Sequence, residues 1–404
     1  MTRPWKIVVL AVAIAGLVAG GWFIYSRVAG GTGGGEGGSG ESTPTSSAPV
    51  SIPQEVLDNK FGFLSGGPED ASFIGNVGAA WVRPHPGAFV WERIQTGEDA
   101  SFDFSLPDKW VQRYQEKEIA TLATIWPFAS WDQVRRPGQD KCMVSENDEF
   151  SPTGAGAKKG AKDLKEGEDE EMYARGYLPL FRCNPYDWEA YAAWVTASVE
   201  RYDGDGSNDM PGLEIPIKYW EVMNEPDLDG NETLDFYKED ATAYAELLIK
   251  TAAAIRQADS EAKVVIAGAA GGDDRFLGFY RDVFQSAEAI AAFDIGNVHC
   301  ISNDDYQSFN VDPYKKMLAE FGIDKPVWVT EAQAILSTDP DINATIALNA
   351  TKEALALGAG RIFFTQYGFE PWEGWHGAPG GTPSVEKELE GDDPEAAYRV
   401  ITCQ

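Results

Sequence analysis

The stretch Ile217-Lys218-Tyr219-Trp220-Glu221-Val222-Met223-Asn224-Glu225-Pro226 reads as a short buried strand that stops abruptly. Apolar and aromatic side chains dominate as far as Met223. Pro226 then keeps Glu225 out of right-handed helical geometry, so a carboxylate stands at the strand's mouth. A second stretch, Val327-Trp328-Val329-Thr330-Glu331-Ala332, has the same build: an apolar run that must be buried, then a carboxylate.

Six more short apolar runs lie along the chain: Phe61–Leu64, Ala79–Arg83, Ile119–Trp126, Lys263–Ala267, Ile295–Cys300 and Arg361–Gln366. With Ile217–Met223 and Pro326–Thr330 they make eight. Helical spacing separates several of them, as in Trp188, Tyr191, Val195, Val199 and Tyr202, or from Leu234 through Tyr244, Leu247, Leu248 and Ile255. Eight strands alternating with helices over this length predict a (β/α)8 TIM barrel of class α/β. A doubly wound open sheet is the alternative, but it would want a glycine-rich first turn that the body lacks.

In a barrel of this kind chemistry sits at the C-terminal ends of the strands. Glu225 ends strand four and Glu331 ends strand seven, opposed across the barrel. Either alone could be a rim ion pair or a helix N-terminal residue. Two carboxylates across one cleft suit glycoside hydrolysis, where one protonates the leaving oxygen and the other attacks the anomeric carbon.

These strand ends resemble the (β/α)8 superfamily of retaining glycoside hydrolases, clan A, which includes families 5, 10 and 39. The resemblance covers about residues 60–370 and is specific at a few strand ends. It implies Glu225 as acid/base, Asn224 as partner of the substrate 2-hydroxyl, and Glu331 as nucleophile. Arg83, in Trp81-Val82-Arg83-Pro84, matches the Arg that the clan often sets beside its nucleophile, where its charge would keep a carboxylate ionised. An ordinary barrel-mouth ion pair is the plainer reading. Asn297-Val298-His299-Cys300-Ile301 resembles the strand-six segment that carries a His and then an aromatic hydroxyl, although Ile301 stands where the Tyr is expected; Tyr306 is a substitute from the loop. Tyr367, Phe369 and Trp372, after strand eight, are candidates for stacking on a sugar ring, with core packing the alternative for Phe369.

The 404 residues carry 33 Lys+Arg against 64 Asp+Glu, a net charge of −31. That balance argues against nucleic acid and against docking on anionic lipid, both of which need clustered Lys and Arg. Arg3 and Lys6 precede an uncharged run, Ile7 to Tyr25. At 1.5 Å per residue it spans about 28 Å, which fits an uncleaved signal anchor better than a cleaved signal peptide. No Cys near its end supports a lipid anchor. The predicted organisation is a signal anchor or signal peptide over 1–29, a Gly/Ser/Thr/Pro-rich linker over 30–50, and the barrel over 51–404. Membrane contact is then confined to the N-terminal segment, and the body is expected at the cell surface, or secreted if that segment is cleaved. The G-x-G-x-x-G at Gly33, Gly35 and Gly38 has no strand before it and no helix after it, so it carries no weight.

An exported body permits disulfides. Cys142 and Cys183 share the long excursion after strand three, which includes a Lys/Glu/Gly-rich run, Lys158–Glu171. Their pairing would close a loop of about 40 residues, worth about 3–4 kcal/mol in the chain-entropy model. Cys300 and Cys403 are expected at opposite ends of the barrel, unpaired. Asp203, Asp205 and Asp209, with Glu214 at the twelfth position, resemble a calcium loop, yet Asn208 replaces the expected Gly and Pro211 is unusual there. A Gly/Asp turn between helix and strand is the other reading. With three His (His85, His299, His376) and no H-E-x-x-H, C-x-x-C, P-loop or G-x-S-x-G, other catalytic schemes lack their residues. The expectation is a retaining glycosidase acting on a carbohydrate, needing no organic cofactor, with calcium as the one candidate ion. The alternative is a catalytically idle carbohydrate-binding barrel.

Overall fold

The structure is a computed structural model, and it describes residues 48–65, 67–148, 150–152, 177–228, 234–300, 308–333 and 340–365. Residues 1–47, which hold the expected anchor and most of the linker, lie outside that set, as do Ile301, Tyr306, Tyr367, Phe369, Trp372, His376 and Cys403. Among the described residues no helix is long and apolar enough to cross a membrane.

All eight expected strands form: β1 (Phe61–Ser65), β2 (Trp81–Pro84), β3 (Ala120–Ile125), β4 (Tyr219–Val222), β5 (Lys263–Ile266), β6 (Gly296–Cys300), β7 (Val327–Ala332) and β8 (Ala359–Phe364). They pair in parallel in the order β5-β4-β3-β2-β1-β8-β7-β6. The β1–β8 pairing, Phe61 opposite Ile362 and Phe63 opposite Phe364, excludes the doubly wound sheet. Single parallel bridges, Val265 with Ile295 and Ala269 with Val298, close β5 onto β6. The fold is a near-closed (β/α)8 barrel.

Side-chain caps fix the starts of four helices among the described residues. Asp187 accepts the N–H groups of Glu189 and Ala190 at the start of the helix Trp188–Glu200, and Tyr191, Val195 and Val199 are its buried stripe. The next helical pattern begins later than its apolar spacing predicts, at Ala241 rather than Leu234. Asp240 caps Ala243 N there and sets the boundary.

Alternation along the strands divides the barrel interior into two layers. The lower is apolar, with Trp81, Leu122, Val265, Ile295, Trp328 and Phe363. Gly62 makes room for it, because a Cβ there would lie 2.6 Å from the Phe363 ring. The short helix Gln54–Asp58 closes this end: Val56 joins the apolar layer, Trp81 Nε1 donates to Val56 O (2.8 Å), and Arg361 Nη2 donates to Leu57 O (2.9 Å). The Arg361 guanidinium lies 3.9 Å from the Trp81 ring and 4.6 Å from that of Trp328, a cation–π sandwich under the floor. The upper layer is polar and buried: Arg83, Thr124, Glu221, Asn297, His299 and Thr330.

The excursion after β3 contains the expected disulfide, Cys142–Cys183, with Cα atoms 5.2 Å apart. Beside it Arg182 Nη2 donates to Asp148 (2.7 Å) in a buried ion pair. Asp235 N donates to the other oxygen of Asp148 (2.9 Å), tying the excursion to the loop that follows β4. Cys300 is buried, its Sγ 3.1 Å from Ser308 O.

Candidate active site

Each side chain of the upper layer reaches the mouth for a local reason. Arg83 follows Trp81 by two residues and so points inward from β2. On β4 Tyr219 and Glu221 point inward; the backbone then turns left-handed at Met223 (φ 70°) and again at Glu225 (φ 38°). Glu225 thus avoids the right-handed helix, as its proline neighbour requires, by adopting a strained left-handed backbone. On β7 strict alternation would bury Trp328 and Thr330 in the barrel and turn Glu331 outward. The pairing with β6 skips a residue, from Val298–Val329 to His299–Glu331, so Thr330 is an extra residue and Glu331 is re-aimed into the mouth. Tyr244 steadies the neighbouring edge: its hydroxyl donates to Val222 O (3.0 Å) and accepts from Ala267 N (2.9 Å).

The expected residues Glu225, Glu331, Arg83, Asn224 and His299 meet. One oxygen from each of Glu225 and Glu331 and one ring nitrogen of His299 lie within 4.8 Å of one another. Arg83 is the hub: Nη1 donates to Glu331 Oε1 (2.7 Å), Nη2 to Asn224 Oδ1 (2.6 Å) and Nε to Glu221 Oε2 (2.6 Å). His299 Nδ1 is 2.7 Å from Glu225 Oε1, and its Nε2 is 2.8 Å from Thr330 Oγ1. No Cβ could exist at residue 268 without moving that ring, since it would lie 2.0 Å from His299 Nε2.

Sequence reasoning missed Glu221. This third carboxylate is fully buried beneath the other two and accepts from Arg83, from Thr124 Oγ1 (2.6 Å) and from Asn297 Nδ2 (2.7 Å). Its signal was available: a charged residue at an inward position of an apolar strand.

Burial sets the electrostatics. It pushes the Glu225 carboxyl up to about 8; Arg83 opposes the shift and Glu221 adds to it. Burial also raises Glu331, against the pull of His299 and Arg83 and with help from Glu225. Arg83 therefore acts in the expected direction but does not bring Glu331 below its ordinary range, because water is excluded from both carboxyls. His299 falls to about 4, again through burial, and is uncharged at neutral pH. Two acidic groups of high proton affinity, only one of them hydrogen-bonded to a guanidinium, can hold one proton and one negative charge between them. The grouping could suit a cation, but the guanidinium on Glu331 already supplies the positive charge.

One wall beside the mouth is aromatic. His85 stands edge-on to Trp126, Phe150 and Phe236 with ring centroids 5.2–5.7 Å apart, and its Nδ1 has no partner among the described residues. Away from the mouth, carboxylate oxygens of Asp203, Asp205 and Asp209 come within 4.8 Å of one another. They accept backbone N–H groups of their own turn: Asp205 N to Asp203, Ser207 N to Asp205, and Gly204 N and Gly206 N to Asp209. The Glu214 side chain is exposed and is not one of the converging group.

The fold and this site define a (β/α)8 barrel with paired buried carboxylates at its C-terminal mouth. Similar solved structures include a glucosidase from Croceicoccus marinus, at 15% identity and TM-score 0.49, with 80% of this chain and 62% of that chain covered. A family 39 glycoside hydrolase from the gut symbiont Bacteroides cellulosilyticus WH2 matches at 15% identity and TM-score 0.48, with coverage of 78% and 57%. A family 10 endo-β-1,4-xylanase from Gloeophyllum trabeum matches at 15% and 0.46, with coverage of 80% and 89%. The chain spans less than two thirds of the length of the first two. No protein-family model and no curated protein matches the sequence.

Proposed function

We propose that this protein is a retaining glycoside hydrolase that cleaves O-glycosidic bonds of oligo- or polysaccharides by double displacement. The observation that carries the reading is the approach of Glu225 and Glu331, an oxygen of each within 4.8 Å at the strand ends. That spacing suits a nucleophile and an acid/base, whose carboxyls stand about 5–5.5 Å apart; inversion needs about 6.5–9.5 Å to admit a water. Glu225, with its raised proton affinity, protonates the departing glycosidic oxygen. Glu331, ion-paired to Arg83, attacks the anomeric carbon and forms a glycosyl-enzyme. Glu225, now a carboxylate, takes a proton from the water that releases the sugar. Arg83 occupies Asn224 Oδ1, leaving the Asn224 amide N–H groups for the sugar 2-hydroxyl.

The disulfide supports an exported body. The N-terminal apolar segment anchors it at the cell surface, or directs its secretion if cleaved. Calcium, if bound, belongs to the turn of Asp203, Asp205 and Asp209, remote from the chemistry.

The test is hydrolysis of a panel of aryl glycosides and polysaccharides by the wild type and two variants. Glu331→Ala is expected to lose turnover on every substrate. Glu225→Ala should suffer most on poor leaving groups, and azide should restore it with a product of retained configuration. Azide rescue with an inverted product at Glu225 would exchange the two roles, and full activity in either variant would end the reading. Sugar binding without hydrolysis by the wild type would favour the idle carbohydrate-binding barrel.

A further inference from the structure

Four hydrogen bonds run from Glu225 to Glu221 through the polar layer, and the chemistry of its far end fixes the direction of each. Every partner of Glu221 among the described residues is a donor: Arg83 Nε and Thr124 Oγ1 on Oε2, and Asn297 Nδ2, with the Thr330 hydroxyl farther off, on Oε1. Turning the Asn297 amide over would press its Oδ1 against a carboxylate oxygen at 2.7 Å, acceptor on acceptor, so the amide is fixed with Nδ2 toward Glu221. Asn297 Oδ1 then needs a donor, and the Thr330 hydroxyl is 2.9 Å away. The only other acceptor from Glu221 near that hydroxyl is Oε1 at 3.4 Å, so with either partner its proton points away from His299. Thr330 Oγ1 can therefore only accept from His299 Nε2 at 2.8 Å.

We propose that Glu221 is a positioning residue which, through Asn297 and Thr330, fixes the ring proton of His299 on Nε2 and leaves Nδ1 as the acceptor that keeps Glu225 protonated. A neutral imidazole bearing its proton on Nε2 presents a lone pair at Nδ1, 2.7 Å from Glu225 Oε1. An ionised Glu225 would meet that lone pair with another. A protonated one donates to it and holds its proton until a glycosidic oxygen competes. The neutrality of His299 and the upward shift of Glu225 agree with this. The charged and titratable groups around Glu225 are Arg83 from β2, Glu221 from β4, His299 from β6, Glu331 from β7, Asp227 two residues further on, and Tyr280 from the helix Asp274–Val283. Of these only His299 bonds to it directly. The kinetic consequence rests on Glu225 being the general acid; the tautomer does not.

The test is ¹⁵N NMR of the histidine-labelled full chain at pH 7, with three His in the sequence to assign. His299 is expected neutral with its proton on Nε2. Glu221→Gln replaces an obligate acceptor by an amide that can donate, so Asn297 can turn over and the chain can reverse. The His299 proton should move at least partly to Nδ1, and the basic limb of kcat/KM on aryl glycosides should fall by about one pH unit. Thr330→Val cuts the chain without touching the Arg83–Glu221 pair and should mix the tautomers, which keeps the question answerable if Glu221→Gln does not fold. A wild-type His299 protonated on Nδ1, or an imidazolium, would overturn the proposal. So would an unchanged Nε2 proton in the folded variants. If no glycoside is hydrolysed, the spectra still decide the tautomer, and only the reading of Glu225 as an acid fails.

Discussion

Glu225 combines a left-handed backbone with a carboxyl that burial pushes up to about 8, so the folded chain holds a group it would stabilise better without. The sign follows from linkage. Between the ordinary value of 4.5 and about 8, the folded state retains a proton that the unfolded state has released, so this residue's contribution to stability falls as pH rises through that window. Glu225→Gln keeps a donor toward His299 Nδ1 and removes the titration. It should therefore raise Tm relative to wild type, more at pH 8 than at pH 5; an equal difference at both would contradict the shift. The residues readable from sequence were those at strand ends: Arg83, Asn224, Glu225, His299 and Glu331. Glu221, Asn297 and Thr330 share the buried polar layer with Arg83 and His299 but reach Glu225 only through other side chains. Glu221 left a signal, a charge at an inward position of an apolar strand, whereas the parts of Asn297 and Thr330 come from three strands meeting in space, which no spacing along one strand records.

At the scale of the element, positions of strands were legible and irregularities were not. The eight apolar runs mark where chain is buried on both faces, which is what a parallel barrel demands. The break in register at Thr330 leaves no mark in the sequence Val327-Trp328-Val329, yet under regular alternation Glu331 would face the helices. The end of β5 is equally constrained: Gly268→Ala would drive a methyl group into the space of the His299 ring. An ångström of displacement there should lower kcat by about 100-fold, with the fold retained by circular dichroism. An unchanged kcat would remove His299 from the site. The disulfide stabilises a different element, the excursion after β3. Replacing both Cys142 and Cys183 by Ser should cost about 3–4 kcal/mol in the chain-entropy model, read as a lower urea midpoint. A midpoint equal to that of the wild type would show that Arg182–Asp148 and the Asp235 contact hold the excursion unaided.

For the whole molecule, the folded body takes hold of the chain at Val50, whose N–H donates to Gly204 O (2.8 Å), and at Ile52, which is buried in the floor. Removing residues 1–47 should therefore leave a soluble body with unchanged kcat/KM, and an insoluble or unfolded product would put the boundary elsewhere. The large negative charge bears on partner classes without hinting at architecture, because net charge acts on solubility and encounter rather than on fold. The chain enters under the floor, beside the Arg361 sandwich, while the paired carboxylates open at the other end of the strands. Anything fastened ahead of Val50, whether a natural anchor, an affinity resin or an electrode, grips the barrel by its base. Immobilisation through the N-terminus should therefore leave kcat/KM on aryl glycosides unchanged, and a loss on tethering would place the point of attachment near the carboxylates.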